Sequence, residues 1–136
     1  MTDIRKVTDG FSVAPQVGAD ELGAVAAAGF VLVINNRPDG EQPGQPTSAE
    51  MAEAAQAAGL DYLHVPVRGG PGREQVEAVA EAVAAAKGPV LAFCRSGTRS
   101  IVTWSLGQAM SGARSPEELV KLGAGAGYDL SGVLGA

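Results

Sequence analysis

The chain has one cysteine, Cys94, and one histidine, His64. A lone thiol excludes an internal disulfide framework and a multi-cysteine zinc site. A lone imidazole leaves too few ligands for most transition-metal centres and too little for an ordinary Ser-His-Asp hydrolase. No metal or cofactor is implied. Basic residues are in the minority, with 10 Lys and Arg against 15 Asp and Glu and a net charge of −5. That disfavours nucleic acid or an anionic membrane as a partner, since both call for a broad basic face. Long hydrophobic runs are missing as well. The longest uncharged stretch, residues 22–36, is broken by Gly29 and falls short of the roughly 20 apolar residues of a bilayer span. Residues 1–10 are polar and charged and lack a secretory h-region. The expected location is cytoplasmic, with Cys94 kept as a thiol.

What is present suits a small packed protein. Hydrophobic residues make up 46% of the 136 positions, aromatics only 4%, and there are 19 glycines, so one tightly turned domain over 1–136 is expected, large enough to bury its own core. Residues 4–7 and 11–14 read as two strands around Asp9-Gly10, a pair suited to a type I′ turn. An alanine-rich helix over 20–28 is stopped by Gly29, and residues 30–34 form a continuous apolar strand buried on both faces. Residues 36–46 are a loop rich in proline, glycine and charge. Thr47 to Glu50 has capping-box spacing and opens a helix that Gly59 ends. Residues 62–67 are a strand in which Pro66 forces a bulge or early exit. A glycine-rich loop (68–72), a helix (74–87) and a strand (89–93) follow, then a helix over 99–110 and a second capping box at 115–118. Strands alternating with helices imply an α/β domain with a mainly parallel sheet covered on both faces and an N-terminal β-hairpin. In such sheets ligands bind at the carboxyl ends of the strands, where the loops at 35–40, 68–72 and 94–100 gather.

The third loop carries the chemistry. Strand 89–93 delivers Cys94 to its end, Arg95, Ser96, Gly97 and Thr98 form a short connection, and a helix begins near Arg99 and Ser100. Backbone N–H groups of such a loop converge on an anion, aided by the helix N-terminus. Gly97 lets the backbone curl, and Arg99 offers a planar fork for a tetrahedral oxyanion. The same dipoles, with Arg99 and Arg95, favour the thiolate, so nucleophile and anion cradle come in one segment. Ser100 is placed to bond the thiolate or assist a leaving group. The bland reading makes Cys94 a small buried hydrophobe, but it leaves the two arginines and the glycine unexplained.

The run from Cys94 to Ser100, with the order of elements, resembles the phosphatase-like domain family designated DUF442. That domain also occurs fused to metallo-β-lactamase-like persulfide dioxygenases in β-lactamase hydrolase-like proteins, and its free-standing members are often labelled sulfur transferases. The resemblance takes in the hairpin, residues 31–37, 62–70 and 88–100, Trp104, and the Gly-Tyr-Asp-Leu at 127–130. It implies the fold of protein tyrosine and dual-specificity phosphatases, with a cysteine loop similar to that of rhodaneses. Cysteine phosphatases carry Cys-x5-Arg and an acidic residue after the preceding strand; here the spacing is Cys94-x4-Arg99, and Arg68-Gly69-Gly70 holds no carboxylate. Sulfur transfer expels sulfite or a thiolate and needs little protonation, whereas ester cleavage gains about 10²–10⁴-fold from a general acid.

The expected activity is therefore a sulfurtransferase working through a Cys94 persulfide, with thiosulfate or a small persulfide as donor and a thiol as acceptor. The alternatives are a phosphatase acting through a phosphocysteine, with Asp39, Glu41 or Glu74 folding over as acid, and a non-catalytic anion-binding module. Asn36, Arg37 and Arg68 sit in loops expected to border the site. Asn35 and Asn36 read more simply as a strand end than as a hydrogen bond from one of them to the cysteine loop, His64 reads as structural, and Trp104 as core.

Overall fold

Alternation within the apolar runs decides which way each strand faces. In β5 (Val90–Phe93) the side chains of Val90 and Ala92 enter one core cluster, while Leu91 and Phe93 enter the other. In β3 (Leu32–Asn35) Leu32 and Ile34 share the first cluster and Val33 the second. A strand apolar at every position is thus a strand with helices on both sides.

The computed structural model describes residues 2–134. β1 (Arg5–Thr8) and β2 (Phe11–Ala14) make the antiparallel hairpin, and β2, β5, β3 and β4 (Asp61–His64) pair in parallel, giving the sheet order β1-β2-β5-β3-β4. A 3₁₀ turn (Ala19–Glu21) leads into α1 (Leu22–Ala27), which with α2 (Ser48–Ala57) covers one face through Leu22, Val25, Met51 and Ala55. α3 (Arg73–Ala85), α4 (Thr98–Met110) and α5 (Pro116–Gly125) cover the other through Val79, Ile101, Trp104 and Leu119; the short α6 (Ser131–Leu134) follows. Trp104 lies in this core as expected, stacked on Phe11 with ring centroids 4.7 Å apart and planes 9° from parallel. The fold is the protein tyrosine and dual-specificity phosphatase-like α/β arrangement that the sequence implied.

Glycines end the helices where the sequence placed stops. Gly29 (φ 102°) follows α1 and Gly59 (φ 80°) follows α2, both in the left-handed region. Thr47 caps α2 with the reciprocal Glu50 bond. β4 ends at His64, but Val65 and Val67 still donate to the Asn35 and Asn36 carbonyls, so the chain exits the ladder at Pro66 with alternate pairing retained.

Two local expectations are corrected. Neither Asp9 nor Gly10 has the positive φ of a type I′ turn; a register shift between Lys6 and Thr8 supplies the hairpin's twist instead. At α5, Ser115 accepts from the Glu118 N–H, but the Glu118 carboxylate turns to Arg114 at 2.7 Å, so the cap is one-sided. No helix among the described residues is long and apolar enough to cross a membrane.

Candidate active site

Parallel pairing puts the ends of β3 and β5 side by side, with Asn35 opposite Phe93. The Asn36 N–H donates to the Phe93 carbonyl at 2.8 Å, which brings the connection after β3 beside Cys94. From the other flank the Ala14 carbonyl accepts the Cys94 N–H at 3.4 Å, and Gln16 donates to the Arg95 carbonyl at 3.3 Å. The cysteine loop is therefore strung between β2 and β3, on the central strand of the sheet.

The loop turns on Gly97, whose φ of 92° lies in the left-handed region and which caps α4. Its N–H points back to the Cys94 Sγ at 3.1 Å. Thr98 directs its N–H to the Ser96 hydroxyl at 3.4 Å, so among the described residues one loop amide, not a ring of them, holds the sulfur. Arg95, Ser96 and Thr98 are exposed, and Ser100 is fully buried with no partner for its hydroxyl. Cys94 itself is 0% exposed. The thiol is thus covered, as a buried strand-end cysteine would be.

The Arg99 fork is occupied by Glu41. Its carboxylate meets Arg99 in a two-pronged pair, Oε2 to Nη1 and Oε1 to Nη2, both 2.8 Å, and Arg99 Nη1 also donates to the Val67 carbonyl at 2.9 Å. Arg37 holds the carboxylate from behind, Nε to Oε1 at 2.9 Å, with its remaining donors on Gln16 and Gln42. Arg37 is 2% exposed: it is an internal strut for the loop at 36–46, not a surface arginine. Arg99 first, then Arg37, holds the Glu41 carboxyl down to about 2. Glu41 in turn raises Arg99 above its ordinary value, partial burial opposes this, and Cys94 adds to the rise.

The pair makes a prediction with a definite sign. A carboxyl whose folded-state value is depressed stabilises the fold above its unfolded value and loses that contribution as pH falls through the folded one. Melting temperature is therefore expected to drop between about pH 4.5 and about 2 as Glu41 protonates. Glu41→Gln should flatten that drop. The same variant should tighten vanadate or phosphate binding at neutral pH about two- to fivefold, the scale of a part-exposed ion pair. Unchanged oxyanion affinity would show that Glu41 does not compete for Arg99.

The other sequence candidates divide. Asn36 is buried beside Cys94, but its side-chain amide donates to the Val65 carbonyl and not to the cysteine loop. Asn35 bonds Tyr62 and its own turn, which is the strand-end role. Arg68 is exposed. His64 places Nε2 2.8 Å from the Arg37 carbonyl, a structural role. Asp39 caps the start of α2 through the Ser48 N–H, and Glu74 lies exposed in the first turn of α3, so of the three carboxylates considered as acids only Glu41 reaches the loop. Two contributors were not among the sequence candidates, although Tyr128 lies in the Gly-Tyr-Asp-Leu at 127–130 that took part in the resemblance. Gln16 supports Arg37, and Tyr128 donates from its hydroxyl to the Ser96 carbonyl at 2.9 Å. The role of neither is visible locally, because each arrives from a distant part of the chain.

Residues 3–111 match the family model "Beta-lactamase hydrolase-like protein, phosphatase-like domain". The chain belongs to this family. The phosphatase-like domain is 36% identical over 126 residues to a β-lactamase hydrolase-like protein of Agrobacterium fabrum, covering 92% of this chain but 29% of that protein. It thus spans less than a third of the curated relative's length. It also superposes on a crystal structure from Neisseria meningitidis described as a candidate phosphatase, with a TM-score of 0.84, 29% identity, and coverage of 97% of this chain and 94% of that one. A Shewanella putrefaciens structure described as a candidate phosphatase (DUF442) gives a TM-score of 0.71 at 20% identity, covering 92% and 91%, which shows the fold.

These likenesses overturn the sulfurtransferase expectation and its Cys94 persulfide, and nothing supports the expected sulfur donor and thiol acceptor. Several solved structures that share the domain's architecture are described as phosphatases or candidate phosphatases, at identities up to 29%. The sulfurtransferase reading rested on the count of residues between Cys94 and Arg99 and on the missing carboxylate at residues 68–70. That count ignores the sheet order and the α4 start that surround the loop, and these belong to the phosphatase-like fold.

Proposed function

We propose that the domain hydrolyses phosphate monoesters through a phosphocysteine at Cys94. The observation that carries this reading is the single segment that brings together Sγ, the Gly97 N–H at 3.1 Å from it, and the Arg99 fork at the start of α4, in a domain of the phosphatase-like family.

In the first step the phosphoryl group displaces the Glu41 carboxylate from Arg99, which then binds two phosphoryl oxygens as it now binds Oε1 and Oε2. The Cys94 thiolate attacks phosphorus; an S–P bond forms, the P–O ester bond breaks, and the leaving group takes the electron pair as its oxyanion. In the second step water attacks phosphorus, the S–P bond breaks with its electron pair returning to Sγ as thiolate, and dihydrogen phosphate leaves carrying both protons of the water. The buried Ser100 hydroxyl, which has no partner among the described residues, supplies the hydrogen bond that the departing thiolate gains. Arg95, exposed on the loop, adds positive charge at the mouth. The thiolate must stay reduced, which accords with a cytoplasmic location.

The loop after β4 has no carboxylate in residues 65–72, and Glu41 is held ionised by Arg99 and Arg37. The leaving group therefore departs without a protein proton. Aryl phosphates with acidic phenols are expected to turn over about 10²–10⁴ times faster than alkyl phosphates, the factor a general acid would otherwise supply. The deciding experiment is rapid-quench intact-mass analysis during aryl phosphate turnover. A phosphoryl adduct on Cys94 that forms and decays at the turnover rate is the expected result. No turnover with any aryl phosphate, and no adduct, would overturn the proposal.

A further inference from the structure

The peptide unit joining Ser96 to Gly97 is bonded at both ends. Its N–H donates to the Cys94 Sγ at 3.1 Å, and its carbonyl accepts from the Tyr128 hydroxyl at 2.9 Å. A planar trans peptide points these two groups in opposite directions, so Tyr128, amide and sulfur lie in one line of hydrogen bonds. The contact is close: a Cβ on Gly97 would overlap the Tyr128 hydroxyl. Tyr128 is itself fixed, with Arg5 6.0 Å from its ring centroid and its backbone N–H on the Gly123 carbonyl at 2.8 Å. It lies beyond the residues that match the family model, which end at 111.

We infer that Tyr128 is a positioning residue for the Cys94 nucleophile, acting through the Ser96–Gly97 peptide. Two effects follow from the geometry. The hydroxyl pins the carbonyl outward, and a glycine, free to rotate, otherwise allows this peptide to flip its N–H away from the sulfur. Donation to a carbonyl also polarises the amide, strengthening the N–H at its far end by about 10–30% in chains of this kind. Both effects favour the thiolate over the thiol. The other charged groups around the sulfur are Arg95 and Arg99 from the loop and α4, Glu41 acting through Arg99, and Arg5 and Asp3 on the far side of the Tyr128 ring. None of them touches the Ser96 carbonyl, so removing one hydroxyl isolates the relay.

The inference rests on Cys94 being the nucleophile, and its test separates the two. Cys94 is the sole cysteine, so iodoacetamide alkylation followed across pH by intact mass reads this thiol alone. Tyr128→Phe keeps the ring and removes the donor. Its alkylation midpoint is expected to rise by about half a pH unit, a roughly threefold slower reaction on the acid side of the midpoint, with the high-pH plateau unchanged. The acid limb of kcat/KM for an aryl phosphate should shift with it. Tyr128→Leu should show the same rise, plus a lower melting temperature from lost packing. A Phe variant whose midpoint matches wild type overturns the inference, and so does a lowered plateau with an unmoved midpoint, which would assign Tyr128 to access. Absence of aryl phosphate turnover in the wild-type protein would instead remove the phosphatase reading, while the alkylation midpoints still judge Tyr128.

Discussion

Cys94→Ser is expected to lower aryl phosphate turnover by on the order of 10⁴-fold or more, while oxyanion binding survives. Serine keeps the shape of the side chain, so the loop between Ala14 and Asn36 retains its backbone bonds. The hydroxyl is a far weaker nucleophile because nothing at the site removes its proton: the one histidine is spent on the Arg37 carbonyl, and Glu41 is bound to two arginines. Steady-state rates with an aryl phosphate give the first half of the result, and vanadate titration of the variant gives the second. A variant that keeps more than a few per cent of wild-type turnover would mean that water, not sulfur, attacks phosphorus.

Arg99→Ala carries the next largest expected effect, about 10²–10³-fold in kcat, the usual consequence of deleting a donor aimed at developing negative charge. The substitution does two things at once. It takes the fork from the phosphoryl oxygens, and it leaves Glu41 facing Arg37 alone, so the loop at 36–46 loses its tie to α4. Arg99→Lys separates the two. A lysine restores a charge but not the paired planar donors, and it should recover the tie to Glu41 more fully than it recovers kcat. Equal recovery of both would place the contribution of Arg99 in loop anchoring alone.

The architecture was legible because it depends on short-range pattern. The run through Val33 and Ile34, apolar at every position, could only be a strand with helices on both sides, and Gly29 and Gly59 marked the stops by their freedom at positive φ. Cys94, Gly97 and Arg99 were legible for the same reason, since strand, turn and helix start are adjacent in sequence. The turn at Asp9-Gly10 was misjudged because a two-residue composition does not record the register shift one residue earlier. Glu41 was named only as one of three acids; its place on Arg99, 58 positions away, is set by the strand order and by buried Arg37. Tyr128 reaches Ser96 across 32 positions, and no periodicity encodes that. The chemistry was misread because the spacing from Cys94 to Arg99 describes the loop alone, and its partners lie on other strands.

Ala14 and Gln16 grip the cysteine loop from the first hairpin, and Tyr128 grips it from beyond α5. Segments near opposite limits of the described chain thus converge on a handful of atoms, with every layer of the domain between them. A fragment that stops before Tyr128 would lack the bond on the Ser96 carbonyl, so the shape of the cysteine loop depends on segments far apart in the chain.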